Sequence, residues 1–234
     1  LYYKPESKSM ERLVQKNFRF LYLLLTIGYC IVEVNNLSTF RYALKPLLLL
    51  SLSYYFYLST QANQSKISRF MQVGLLFSLM GDILLMFTSQ SELYFIFGLV
   101  AFLLAHVCYC LAFIESFRKS QFSLPELLLA AMPFLLMSGT VFYILMPYLK
   151  SMLVPVLAYI LVITAMGIFS ALRYKSVERN SYYSILAGAL FFMLSDTLLA
   201  FNKFYQSFSY AGIAIMSTYI LAQYLLVEGS LSTI

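Results

Sequence analysis

Two aspartates, Asp82 and Asp196, stand inside long apolar runs of this sequence. A charged side chain at the middle of a bilayer costs about 2.5–3.5 kcal/mol on insertion scales, so each needs a reason. Two carboxylates sharing one low-dielectric site cannot both ionise easily, and they titrate as a unit. Near neutral pH such a pair supplies one protonated acid and one carboxylate base, which suits acid–base catalysis or ligand binding. The bland alternative is a structural pair held by hydroxyls or by a lysine. Other polar residues lie in or beside the same runs. Lys203 falls seven residues after Asp196, hence on the same helical face and about 10 Å nearer the outer surface. Together with Lys45 it could bind an anionic head group, although lysines that snorkel to an interface are common. His106, in A-F-L-L-A-H-V-C-Y-C, is the sole histidine. It cannot build a three-histidine zinc centre, and it suits a proton shuttle or a hydrogen bond to an aspartate. Tyr219 and Gln223 are one turn apart and share a face, where they could orient a substrate or an attacking water; a helix–helix hydrogen bond is the competing reading. Glu33 and Glu228 fall at the ends of runs and receive no role. No G-x-S-x-G, H-E-x-x-H or P-loop pattern occurs, and no metal or other cofactor is expected.

These residues must be positioned by helices. The chain has 234 residues, 61% hydrophobic and 11% charged, with a mean hydropathy of +0.79; soluble chains carry roughly 25% charged residues. With 9 Gly, 6 Pro and 3 Cys it is not disordered, collagen-like or disulfide-stapled. It reads as an all-α polytopic membrane protein, with no room for a soluble catalytic module, a zinc finger or a nucleic-acid-binding surface. The net charge of +6 sits in loops between apolar runs. Cys30, Cys108 and Cys110 lie inside such runs and read as small core residues. Eight runs are long enough to span: 18–35, 43–60, 67–87, 93–117, 124–146, 152–172, 182–201 and 208–228. They follow an N-terminal basic segment, 1–17, and form a transmembrane domain, 18–229.

An even number of spans puts both termini on one side. Twelve cations share that side: Lys4, Lys8, Arg12, Lys16, Arg19, Lys66, Arg69, Arg118, Lys119, Arg173, Lys175 and Arg179. Four lie opposite: Arg41, Lys45, Lys150 and Lys203. The asymmetry predicts cytoplasmic termini in a cell-membrane protein, the inner membrane if the source is Gram-negative. Pro46 reads as a first-turn proline of the second span, and Tyr54, Tyr55 and Tyr57 as an interfacial aromatic belt.

The third and seventh runs repeat each other. G-L-L-F-S-L-M-G-D-I-L-L-M-F (74–87) and G-A-L-F-F-M-L-S-D-T-L-L-A-F (188–201) share seven of fourteen positions, pairing Asp82 with Asp196 at an offset of 114. The same offset pairs Gly98 with Gly212. Two parallel four-helix halves, about 18–117 and 124–229, are expected, related by an axis along the membrane normal. Both carboxylates would then lie at one depth, about 22 Å from the cytoplasmic end of their spans, facing each other across the central crevice.

The ordered set K-P at 45–46, G-D-x-L-L at 81–85, G-L-V-A-F-L-L-A-H-x-x-Y at 98–109, G-A-L-F-F-M-L-S-D-T-L-L-A at 188–200 and T-Y-I-L-A-Q-Y-L-L-V-E-G at 218–229 resembles the YhhN-like lysoplasmalogenase family. The resemblance covers nearly the whole membrane domain. It implies an integral membrane hydrolase that cleaves the vinyl ether bond of lysoplasmalogens, releasing a fatty aldehyde and glycerophosphoethanolamine or glycerophosphocholine. By position it carries the family's polar residues onto Lys45, Asp82, His106, Asp196, Tyr219 and Gln223. Vinyl ethers are acid-labile: protonating the β-carbon gives an oxocarbenium ion that water attacks. A carboxylic acid with a nearby carboxylate and one positioned water is sufficient for that chemistry. The partners implied are a lysophospholipid substrate and membrane lipid, not nucleic acid. A proton-coupled carrier would also suit parallel repeats with an intramembrane acidic pair, and a scaffold would have no use for the aspartates. A carrier needs a path open alternately to both sides, a lipid hydrolase a lateral opening and a one-sided pocket.

Overall fold

The computed structural model describes residues 5–117 and 122–234, with backbone alone for residues 5–16 and 38. These residues form eight long α-helices: α1 (Pro5–Val34), α2 (Ser38–Thr60), α3 (Lys66–Leu85), α4 (Glu92–Ser116), α5 (Leu124–Leu145), α6 (Leu153–Ala171), α7 (Arg179–Ala200) and α8 (Ala211–Leu231). Short 3-10 turns join α5 to α6, and a π-helical turn, Phe201–Tyr205, extends α7. Seven of the eight are long and apolar enough to cross a membrane; α2, which carries Arg41 and Lys45, is the exception. The outer faces suit hydrocarbon rather than water, because Leu129, Leu135, Leu136, Val154 and Leu161 are exposed while Asp82, His106, Arg173 and Gln223 are buried. In a water-soluble domain that distribution would be reversed. The chain is therefore a polytopic, all-α membrane protein.

The helices pack in matched pairs. α3 lies against α4 and α7 against α8; α2 meets α3 and α6 meets α7; α1 leans on α2 and α5 on α6; α4 contacts α6 as α8 contacts α2. Close approach within the pairs depends on glycine. A Cβ at Gly74 would enter the Tyr109 ring of α4, and one at Gly188, 114 residues on, would meet Leu226 of α8 at 2.9 Å. Small residues of this kind let membrane helices approach closely where no hydrophobic effect drives them together. The shared interior is filled by Phe56, Met71, Leu75, Tyr109, Phe192 and Leu226.

Several details differ from the sequence reading. Helix α1 begins at Pro5, so most of the basic segment 1–17 continues the first apolar run as helix. Pro46 is not in a first turn: α2 starts at Ser38, and the proline sits inside it, where its missing N–H leaves a gap in the hydrogen-bond ladder. Lys45 consequently lies deeper along its helix than an interfacial lysine would. Tyr54 and Tyr57 point outward as expected of a belt, but Tyr55 turns inward, stacks on Phe18 and donates to Glu228. Cys30, Cys108 and Cys110 are all unbridged. Of the twelve cations on the expected cytoplasmic side, Lys4, Arg118 and Lys119, and the side chains of Lys8, Arg12 and Lys16, lie outside the described residues.

Candidate active site

Asp82 stands near the end of α3, one of the last residues before the helix stops at Leu85. Its side chain is 2% exposed, and Lys45 of α2, itself 13% exposed, places Nζ 3.3 Å from Oδ1. Tyr219 of α8 donates its hydroxyl to Oδ2 at 2.8 Å. Gln223, one turn further along α8, donates from Nε2 to the Tyr219 oxygen at 3.3 Å and accepts from Tyr109 of α4 at 2.9 Å; Ser78 of α3 meets the same Tyr109 hydroxyl at 3.2 Å. Asp82 therefore ends a buried chain of polar groups drawn from four helices. Both oxygens are engaged, one of them by a cation, an arrangement that offsets part of the cost of burying a carboxylate.

Asp196 has different company. It lies on α7, where Tyr159 of α6 donates to Oδ2 at 2.5 Å. His106 of α4 sets Nε2 3.6 Å from that oxygen, beyond hydrogen-bonding distance. The imidazole is fully buried and wedged edge-on between Phe192, at 4.6 Å, and Tyr159, at 5.2 Å. No lysine or arginine lies within ion-pair distance of Asp196 among the described residues.

Two cavities meet at Asp196. The larger, about 360 Å³, is polar: Lys45, Asp82 and Tyr219 line it together with Glu33, Arg41 and Asp196. It reaches the end of the bundle that holds the α3–α4 turn, through Thr88 and Ser89. Glu33 is held there by Arg41 at 3.2 Å and by the Tyr29 hydroxyl at 3.0 Å. The second cavity, about 60 Å³, is apolar and lies among α4, α5, α6 and α7, walled by Leu99, Val141, Ile163 and Met193. Tyr159 lines the apolar side only, while Asp196, Leu85, Phe102 and Leu199 line both. A carboxyl group thus stands where a chamber lined by charged side chains borders an apolar one.

The structure brings Asp82, Asp196, Lys45 and Tyr219 onto the walls of one chamber, with His106 and Gln223 directly behind them. It does not bring Lys203 there. Its ammonium caps the Phe95 ring at 5.0 Å, and the residue lines neither cavity. The seven-residue spacing from Asp196 assumed a regular α-helix, and the π turn over Phe201–Tyr205 breaks that register. Sequence reasoning missed Tyr159, Tyr109, Glu33 and Arg41 as members of the site. Tyr159 was the most legible, as a tyrosine in the apolar body of a span where interfacial anchoring offers no explanation. Glu33 and Arg41 sit at helix ends, where charge is ordinary. Among the described residues no group of three His, Cys, Asp or Glu side chains is placed to hold a metal ion.

A family model described as the YhhN family matches residues 40–230. The chain belongs to the YhhN family. Every residue from Lys45 to Gln223 in the site falls inside the matched stretch; Tyr29 and Glu33 precede it. Among similar proteins, human lysoplasmalogenase TMEM86A is 33% identical over 157 residues, covering 65% of this chain and 61% of that protein. Human lysoplasmalogenase TMEM86B is 30% identical over 207 residues, covering 88% of this chain and 82% of that protein. The mouse TMEM86B protein is 33% identical over 162 residues, 69% of this chain and 63% of its own. The match thus spans about three fifths of TMEM86A, 61% in the human protein and 62% in the bovine one. No solved structure matches the chain.

Proposed function

We propose that this YhhN-family protein hydrolyses the vinyl ether bond of lysoplasmalogens within the membrane. The observation that carries the reading is the position of Asp196 at the junction of a polar and an apolar cavity. A lysoplasmalogen has the same layout: a charged head group and glycerol on one side, a hydrocarbon chain on the other, and the reactive double bond between them. The relatives named lysoplasmalogenase point to the same chemistry.

The two carboxyl groups divide the work. Asp82, beside Lys45 and under Tyr219, is the charged partner. Asp196 is the proton donor, since no lysine or arginine opposes a proton on it and Tyr159 leaves Oδ1 uncommitted. Its proton passes to the β-carbon of the vinyl ether, and the positive charge that develops on the ether oxygen and its neighbouring carbon is stabilised by the Asp82 carboxylate across the chamber. Water from the polar side adds to that carbon and returns a proton to Asp196. The hemiacetal then breaks its bond to the glycerol oxygen, which takes up a proton as the hemiacetal hydroxyl releases its own to become the carbonyl, leaving the aldehyde on the apolar side and the alcohol on the polar one. Arg41 and Lys45, both lining the polar chamber, are the cations placed to receive the phosphate.

The placement in the membrane is part of the same proposal. All eight long helices cross it, α2 with its two cations toward the outer end, and both termini are cytoplasmic. The matched helix contacts and the repeated run around the aspartates support two parallel halves. A carrier is the weaker reading, since the polar chamber reaches one end of the bundle only. Purified protein given lysoplasmalogen should release fatty aldehyde with time and enzyme concentration; release no faster than in protein-free vesicles would overturn the assignment.

A further inference from the structure

Past the apolar cavity, the space between α5 and α7 continues into a second apolar groove. The groove is bordered by Ala130, Phe134 and Met137 on α5 and by Leu186 and Leu190 on α7. The cavity next to Asp196 is bordered by Met137 and Val141 on α5 and by Met193 and Thr197 on α7. Met137 belongs to both. On each helix these residues follow one another at intervals of four, three and four, so a single stripe of α5 faces a single stripe of α7 along the whole path. The two spaces adjoin at Met137, beside which Phe134 packs against Gly167.

We infer that this groove houses the distal end of a long substrate hydrocarbon chain, so that the α5–α7 cleft reads chain length. The inference rests on the lysolipid reading of the Asp196 site and extends it. From Asp196 to Leu186 is ten residues of α7, about 15 Å of helix rise. Half the hydrocarbon core of a bilayer, the reach of one lipid chain, is also about 15 Å. A full-length chain with its first carbons at Asp196 therefore passes Met137 and ends beside Leu186, whereas a short chain stops inside the cavity. The wall is built to admit it. α5 leans on α6, tied there by the Thr164 hydroxyl donating to Ser138 at 2.6 Å, and touches the π turn beyond α7, leaving the space beside the body of α7 open.

The test uses the full chain in nanodiscs of diacyl phosphatidylcholine and two saturated ether lysophosphoethanolamines, one hexadecyl and one hexyl, neither of which has a vinyl ether to cleave. Ala130→Trp and Leu186→Trp fill the groove without touching either cavity at Asp196. The wild-type protein should bind the hexadecyl probe more tightly than the hexyl one. Each variant should lose at least tenfold in affinity for the hexadecyl probe while holding the hexyl probe within twofold. If hexadecyl affinity stays within twofold of wild type in both variants, or both probes weaken equally in both, the groove does not hold the chain. Wild-type protein that shows this chain-length pattern but cleaves no vinyl ether contradicts the proposed activity and leaves the groove assignment intact.

Discussion

Asp82 and Asp196 are matched residues of a repeated run, 114 positions apart, and they keep opposite company. Asp82 has a lysine at 3.3 Å and a buried hydroxyl network behind it. Asp196 has a phenol, a histidine at 3.6 Å and a wall of hydrocarbon. The position aligned with Lys45, by the L-K-P-L and L-V-P-V segments at 44–47 and 153–156, is Val154. Residues 105 and 106, Ala and His, align with Tyr219 and Ile220. Equivalent positions of the run have different surroundings: Lys45 and Tyr219 meet one carboxyl group, Tyr159 and His106 the other. On the proposed reading, those neighbours assign the charge to Asp82 and the proton to Asp196.

The largest effect should come from Asp196→Asn and Asp82→Asn, each lowering turnover about 10²–10⁴-fold, the usual worth of an acid–base group, both still melting cooperatively, Asp82→Asn at a lower temperature because it leaves Lys45 unpaired. Asn retains the shape but neither donates the proton nor carries the charge. Next is Lys45→Met, which leaves Asp82 buried without its cation. Breaking a largely buried pair from one side costs about 3 kcal/mol, and the double variant Lys45→Met/Asp82→Asn should recover most of it in a melting experiment. A single variant no less stable than wild type would mean the ion pair does not hold Asp82.

Smaller effects separate the two sites further. Tyr159→Phe and Tyr219→Phe each remove one hydrogen bond to a carboxyl group, worth about 1.5–3 kcal/mol when the acceptor is charged. Tyr219→Phe also removes the acceptor of Gln223, a loss that Gln223→Leu measures separately. With Asp82 charged and Asp196 protonated, Tyr219→Phe should destabilise the fold more than Tyr159→Phe, as read by parallel thermal unfolding. The reverse order would exchange the roles. Smallest is Lys203→Ala. Because Lys203 lines neither cavity, kcat and KM should each stay within about twofold, the ordinary range for a peripheral substitution. A large rise in KM would return it to the head-group site.

Much of this architecture was legible in the sequence, for a physical reason. Apolar runs of span length and the cost of charge inside them are strong, local signals, so the helices fall within a few residues of the runs, apart from the earlier starts of α1 and α2. Asp82, Asp196 and the Tyr219–Gln223 turn stood out on the same grounds. What was not legible depends on tertiary approach. The Lys45–Asp82 pair requires α2 to start early enough to carry Lys45 inward, and Pro46, usually a starting signal, pointed to a later start. Tyr159 stands in the apolar body of a span, but nothing in the sequence names its partner until α6 lays it against α7. Lys203 was misplaced because a π turn cannot be read from spacing. Arg173 shows the same limit on the other side of the bundle. It reads as a loop cation but is 1% exposed, donating to Ser116, Ser181 and Thr233, and burial lowers its pKa to about 10.

If a carboxylic acid at Asp196 protonates carbon, heavy water should mark the product. Wild-type protein turning over lysoplasmalogen in D₂O should release aldehyde carrying one deuterium on the carbon next to the carbonyl, more slowly than in H₂O, and the Asp196→Asn protein should release almost none. Aldehyde formed without deuterium at that carbon, or formed equally fast by the Asn variant, would contradict the account.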